Sequence, residues 1–300
     1  MTRIRVLAAL VMAPLAIAAI LLLPTPWLAA LAALVFLIGL WEWLKLAGID
    51  DTLPRTILVA LNLLLMVLLT WASRSSGGFS PAPFQMVVLA GVAWWLLALL
   101  WLRCYGFGSD LHGRAKLAKL AGATLAVVPA WCALCLLHSG NFAGFDPATG
   151  PACRWRIGAT CLLVNPRLWL LIALAIVWAA DSGAYFAGRR FGRRRLAPRI
   201  SPNKTLEGLL GGLLAGVAVG LLGALIAGVD GRQLPWMALV AASTVLASVL
   251  GDLFESLLKR HCGAKDSGNL IPGHGGILDR IDGVLAALPV FLLARELAGF

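Results

Sequence analysis

Apolar runs long enough to cross a bilayer, about 20 residues each, recur nine times in this 300-residue chain, over 5–23, 27–46, 56–73, 84–102, 117–137, 168–188, 206–227, 235–258 and 276–298. In hydrocarbon every backbone N–H and C=O must find its partner within the segment, so runs of this length are predicted to be helices. Only 13% of the residues are charged and 60% are hydrophobic. A soluble domain carries roughly a quarter charged residues, so most of this surface must face lipid. The predicted fold class is all-α: a polytopic transmembrane helical bundle of about nine spans. Arg3 and Arg5 ahead of the first run also suit a signal peptide, but that run is long and ends without a small-residue cleavage site. It is read as a retained helix.

Charge sets the expected orientation. With the N-terminus in the cytoplasm, eighteen of the 25 Lys and Arg residues fall on the inner side and six on the outer, with Arg280 inside the last span. That bias predicts a multi-pass protein of the cell inner (plasma) membrane, N-terminus cytoplasmic and C-terminus outside. The net charge of +11 is assigned to orientation and to contact with anionic headgroups. Nucleic acid is not an expected partner, because no recognition motif accompanies the charge. The six cysteines are scattered. Cys132 and Cys135 form a C-x-x-C inside an apolar run and are read as packing residues, while Cys153 and Cys161, in an outer loop, could pair.

The chain divides into a transmembrane scaffold over 1–137 (spans one to five), an outer loop over 138–167 rich in turn residues, and a catalytic transmembrane region over 168–300 (spans six to nine). Gly212, Gly216 and Gly220 in span seven are four apart, a pattern that lets helices approach closely, within one chain or between two. No internal repeat of the transporter kind is visible.

Acidic residues inside membrane spans are expensive and mark function. Four stand out near the cytoplasmic ends: Asp181 in span six, Asp252 in span eight, and Asp279 and Asp282 in span nine. Asp279 and Asp282 share one helix face, as do Asp252 and Glu255. Each could instead pair with an arginine such as Arg260 or Arg280 as a buried bridge. Four carboxylates at one depth call for cations, and an oxygen-rich set suits Mg²⁺. The loops add complementary chemistry. Lys259-Arg260, Lys265-Asp266 and then Pro272-Gly273-His274-Gly275-Gly276 run from basic to glycine-rich and open a helix, a pattern that suits an anion. Ser201-Pro202-Asn203-Lys204-Thr205 brings a lysine and hydroxyls to another helix start, where Asn203 or Thr205 is expected as the N-cap. Basic loops beside intramembrane carboxylates point to phosphoryl or nucleotidyl transfer.

Two blocks carry a resemblance. The first is Asp181-Ser-Gly-Ala-Tyr185-x2-Gly188 followed by Ile200-Ser201-Pro202-x-Lys204-Thr205-x-Glu207-Gly208. The second is Gly251-Asp252, then Ser256-Leu-Leu-Lys259-Arg260-x4-Lys265-Asp266-x5-Pro272-x-His274-Gly275-Gly276-x2-Asp279-Arg280-x-Asp282. Together they resemble the signature of the phosphatidate cytidylyltransferases, also called CDP-diacylglycerol synthases. The resemblance implies a Mg²⁺-dependent reaction of CTP with phosphatidic acid at the inner leaflet, giving CDP-diacylglycerol and pyrophosphate. It leaves room for a second metal or a monovalent cation. It implies that Asp252, Asp279 and Asp282 hold the metal, with Asp181 in the same cleft. Lys204, Ser201, Lys259, Arg260, Lys265, Arg280, Gly275 and Gly276 would hold the triphosphate or the lipid headgroup, and His274 would donate to a phosphate or assist a proton. It also implies a homodimer. Gly283 departs from the pattern, since many members carry Ser there, and no role is carried over to it.

A transporter would also place Asp and Arg inside spans, but it needs no basic glycine-rich loop abutting a carboxylate cluster on one side. A phosphatidyl-alcohol synthase is disfavoured because its D-G-x2-A-R…G-x3-D-x3-D pattern is absent. The runner-up is another CTP-using lipid enzyme, acting on a different phospholipid or a polyprenyl acceptor.

Overall fold

A computed structural model of the chain describes residues 13–75, 78–109, 113–139, 156–157, 160–161, 166–268 and 275–300. The described residues form helices α1 (Ala13–Leu22), α2 (Thr25–Leu46), α3 (Thr52–Ala72), α4 (Ala82–Arg103), α5 (Gly113–Ser139), α6 (Arg167–Phe191), α7 (Leu206–Ile226), α8 (Leu234–His261) and α9 (Leu278–Leu297). The seven helices α2 to α8 are long and apolar enough to cross a membrane. The described part of α1 is short, and α9 carries Asp279, Arg280, Asp282 and Arg295 within 20 residues. The all-α polytopic bundle expected from the apolar runs is the architecture observed. Three short antiparallel ladders decorate the connections: β1 (Arg74–Ser75) with β2 (Gly78–Phe79), β3 (Arg156–Ile157) with β4 (Thr160–Cys161), and β5 (Arg195–Ala197) with β6 (Ser201–Thr205).

Successive helices run up and down, so alternate connections gather at each end. At one end Lys116 Nζ donates to the Gly48 carbonyl at 3.0 Å, His261 Nε2 to that of Tyr105 at 2.8 Å, and Arg260 Nε to that of Ile200 at 3.1 Å. These contacts tie the α2–α3, α4–α5, α6–α7 and α8–α9 connections together. At the opposite end Thr25 Oγ1 lies 2.9 Å from His138 Nδ1, and the Arg295 guanidinium sits 4.2 Å from the Trp169 ring centroid. The clusters of Lys and Arg over 189–204 and 259–265 therefore share one end of the bundle.

The core sets the rotation of α8. Phe254 is fully buried, and the rings of Trp43, Trp94, Trp95 and Trp101 surround it at centroid distances of 5.5 to 6.1 Å. Three of the four meet it edge-on, the geometry that aromatic quadrupoles favour. With Phe254 fixed among tryptophans, Asp252, Glu255, Ser256 and Lys259, spaced three and four apart, share another face of α8.

Small residues set the helix spacings. A Cβ on Gly251 would lie 2.3 Å from the Asp282 carbonyl, so α8 and α9 touch at the backbone and carry Asp252 and Asp282 to the same level. A Cβ on Gly211 would meet that of Ala187 at 2.2 Å, and one on Gly212 the Ala180 carbonyl at 2.8 Å, which locks α7 to α6. Gly216 and Gly220 pack in the same way against Val245 and Ala241 of α8. The face formed by Gly212, Gly216 and Gly220 is thus buried within its own chain. Cys132 and Cys135 are buried, unpaired members of the core, whereas Cys153 and the Cys161 side chain lie outside the described residues.

Candidate active site

A chain of charged side chains crosses the bundle near the end that carries the basic loops. It starts at Glu42 of α2, only 6% exposed. The Glu42 carboxylate accepts from Ser267 Oγ at 2.9 Å and from the backbone N–H groups of Ile277 at 3.1 Å and Leu278 at 2.8 Å. Those N–H groups open α9 and have no partner within the helix, so a carboxylate there satisfies them and meets the positive end of the helix dipole. Asp279 follows. Its Oδ2 accepts from Gly276 N at 2.9 Å, Ser267 N at 3.0 Å and Ser267 Oγ at 2.9 Å. The single Ser267 hydroxyl proton serves either Glu42 or Asp279 at any instant. Asp279 Oδ1 accepts from Lys259 Nζ at 2.7 Å, and Lys259 also donates to Glu255 at 2.6 Å.

Beyond Glu255 lies a second group. Asp282 interacts electrostatically with Glu255, Asp252, Lys204 and Asp181, and its Oδ1 accepts from Gly283 N at 2.7 Å. Asp252 forms an ion pair with Lys204, while Ser256 Oγ lies 3.4 Å from its other oxygen. Asp181, on α6, interacts with both Asp252 and Lys204.

The β5–β6 hairpin aims Lys204 at this group. Thr205, just after it, is the N-cap of α7: its Oγ1 accepts from Gly208 N at 3.1 Å, which gives one of the two expected caps. Two residues on, Glu207 accepts from the backbone N–H groups of Arg193 at 3.0 Å and Arg194 at 3.2 Å, so the start of α7 grips the entry to the hairpin. A cleft of about 600 Å³ opens between α6, α7, α8 and this hairpin. Arg189, Asn203 and Lys204 mark its polar rim, Asp181 and Asp252 lie within it, and Ala180, Leu209, Val245 and Val249 form apolar walls.

The predicted residues separate into three sets. Lys204, Asp181 and Asp252 line the cleft, with Asp282 behind them. Lys259 and Asp279 belong to the neighbouring Glu42–Ser267 cluster. Arg260, Lys265 and Arg280 are exposed at the same end, and Ser201 is half-buried on β6. Gly275 adopts φ +84°, and a Cβ there would lie 2.9 Å from Asp279 Oδ2. The N–H of Gly276, expected to face a phosphate, is donated to Asp279. His274 lies outside the described residues. Glu42 and Ser267 were not among the predicted residues. Only the rule that intramembrane acids have tasks could have found Glu42, and nothing local singles out Ser267.

The donor sets bear differently on a metal. Asp181, Asp252 and Asp282 are three hard carboxylates that share Lys204 as their one lysine partner among the described residues, an excess of negative charge that suits a divalent cation. As they stand, no three acidic, His or Cys groups among the described residues close on one point. Asp279, expected as the third ligand, has both oxygens occupied by protein donors. Its Oδ1 bond orients Lys259.

Comparison with known proteins gives the family. Residues 3–298 match the cytidylyltransferase family. The phosphatidate cytidylyltransferase of Pseudomonas aeruginosa is 36% identical over 300 residues, covering 100% of this chain and 99% of that protein. That of Haemophilus influenzae is 35% identical over 298 residues, 97% of each chain. That of Bacillus subtilis is 45% identical over a shorter stretch of 132 residues, 42% of this chain and 47% of its own. With its full length matched and its polar cleft built between membrane helices, the chain belongs to the cytidylyltransferase family.

Proposed function

We propose that this protein is a phosphatidate cytidylyltransferase, transferring the cytidylyl group of CTP to phosphatidic acid and releasing pyrophosphate. The observation that carries this reading is the amphipathic cleft. Its rim offers cations to phosphates while its walls, further along the helices, are apolar. A free nucleotide needs only the first, whereas a phospholipid with its chains in the bilayer needs both. The relatives' names point the same way.

In this reading an oxygen of the lipid phosphomonoester bonds to the α-phosphorus of CTP, the bond from that phosphorus to the β-phosphate oxygen breaks, and pyrophosphate leaves with the electron pair. The phosphomonoester is largely ionised near neutral pH, so no strong general base is required. Lys204 and Arg189 neutralise phosphate oxygens at the rim. Lys259, held by Glu255 and Asp279, keeps one of its three N–H donors for a phosphate oxygen. Asp252 and Asp282, with Asp181 beside them, would hold Mg²⁺, which supplies neutralisation of the triphosphate and in-line alignment. Glu42 and Ser267 fix the start of α9 and hence the direction of Asp279. The excess of Lys and Arg at this end of the bundle supports a cytoplasmic active site working on the inner leaflet of the plasma membrane. A homodimer would have to use a surface other than the glycine face of α7, which is already packed.

Acceptor choice tests the reading. The purified protein is given CTP and Mg²⁺ in micelles containing phosphatidic acid, a polyprenyl phosphate or phosphatidylcholine. A cytidine-bearing lipid formed from phosphatidic acid alone is the expected result. Product from the polyprenyl phosphate alone would reassign the acceptor, and no product from any of them would overturn the proposal.

A further inference from the structure

The last turn of α6 and its connection to α7 are strongly basic. Arg189, Arg190, Arg193, Arg194, Arg195 and Arg199 are all exposed. Arg189 donates to the Tyr185 hydroxyl at 3.1 Å and Arg190 lies over the Phe191 ring. The other four side chains form no ion pair among the described residues. The one acid close in sequence, Glu207, commits its carboxylate to the backbone N–H groups of Arg193 and Arg194. That arrangement fixes the hairpin backbone; the Arg194 charge also acts on the Glu207 carboxylate, and all four arginine side chains remain exposed. The connection joins two apolar helices of 25 and 21 residues, so it sits at the depth of the lipid headgroups. It is also part of the cleft: Leu196 of β5 and Asn203 and Lys204 of β6 line the same cavity as Arg189. Planar guanidinium groups match phosphate oxygens bidentately, and arginines at an anionic surface act together.

We propose that the β5–β6 hairpin is a docking surface for anionic phospholipid headgroups, on which Arg193, Arg194, Arg195 and Arg199 gather lipid phosphates beside the cleft mouth. The surface discriminates by charge and has no chemistry of its own. Its contribution to turnover, delivery of the lipid substrate, rests on the phosphatidate reading above, but the docking itself does not.

The test uses the full-length protein reconstituted in phosphatidylcholine vesicles, with a variant carrying Arg→Gln at 193, 194, 195 and 199 and a second carrying Arg→Lys at the same positions. Spin-labelled phosphatidylglycerol and spin-labelled phosphatidylcholine report the lipids held at the protein surface. The wild type should prefer the anionic probe, the Gln variant should lose that preference on the order of fivefold, and the Lys variant should keep most of it. Raising the ionic strength should weaken the wild-type preference. In micelle assays the Gln variant should show a raised KM for the lipid substrate, with kcat and the KM for CTP unchanged. Equal retention of the two probes by wild type and Gln variant would overturn the proposal. A raised KM for CTP with lipid KM unchanged would also overturn it, assigning the arginines to free nucleotide. Anionic preference without turnover of phosphatidic acid would keep the docking surface and reject the substrate assignment.

Discussion

The carboxylate of Glu42 and the hydroxyl of Ser267, 225 positions apart in sequence, meet at 2.9 Å inside the bundle. Through that contact α2 holds the segment leading to the loop ahead of α9, and the same carboxylate caps α9 itself. Glu42→Ala leaves the N–H groups of Ile277 and Leu278 without their acceptor and turns the Ser267 hydroxyl wholly to Asp279. The expected cost is roughly 2–4 kcal/mol, from buried N–H donors left without an acceptor, read as a lowered unfolding midpoint in detergent. Glu42→Gln keeps the shape and one acceptor oxygen, so it should unfold between the two and lower kcat while the KM for CTP stays put. An alanine variant as stable as wild type would show that the cap does not hold α9.

Two loop glycines should respond very differently to alanine. At Gly276 a Cβ would fall 2.1 Å from Ser267 Oγ and 2.2 Å from Glu42 Oε2, inside the anchor itself. Gly276→Ala should therefore disrupt the anchor and abolish activity. Gly263 has φ +67° but open space around it, so Gly263→Ala should cost only about 1 kcal/mol of backbone strain and leave turnover intact. Equal activity of the two variants would contradict the packing described for the anchor.

Chelation with EDTA should stop turnover and Mg²⁺ restore it. Asp252→Asn and Asp282→Asn should raise the Mg²⁺ needed for half-maximal rate on the order of tenfold or more. Asp279→Asn should lower kcat by loosening Lys259 yet leave the Mg²⁺ requirement where it was. A Mg²⁺ titration of the three variants separates these outcomes, and a shift confined to Asp279→Asn would restore that residue to the metal.

Gly283 packs on α8: a Cβ there would lie 2.5 Å from Ser248 Oγ. Gly283→Ser alone should therefore destabilise the protein by about 1–3 kcal/mol through overpacking. Adding Ser248→Gly should recover much of that loss. A thermal-unfolding double-mutant cycle checks the coupling, and additive effects would place the strain elsewhere.

Much of the fold was legible because one constraint, apolar length, dictates both membrane crossing and helix formation. The run read as 206–227 is the helix Leu206–Ile226, and the run read as 27–46 falls within Thr25–Leu46. The carboxylates of α6, α8 and α9 were legible for a related reason, since charge in an apolar helix is conspicuous. Their division into two groups was not, because it depends on Phe254 setting the rotation of α8 and Gly251 its distance from α9. Glu42 sits in Trp41-Glu42-Trp43 as the only acid within the first five apolar runs, and its sequence marks it as unusual without naming its partner. That partner lies at the far end of the chain. The glycines before α9 read equally well as a cradle for an external anion. In the structure the Gly276 N–H goes to Asp279, and the next two N–H groups, of Ile277 and Leu278, go to a carboxylate more than 230 residues away.

Parallel assays with CTP labelled at the α- or the γ-phosphate, run in phosphatidic acid micelles with wild type and Asp252→Asn, address the chemistry of the Lys204–Asp252 cleft most directly. Cytidylyl transfer carries the α label into the lipid phase, leaves the γ label in soluble pyrophosphate, and fails in the variant. The γ label appearing in lipid would mean phosphoryl transfer instead, and an Asp252→Asn variant working at the wild-type rate would remove the reaction from this cleft.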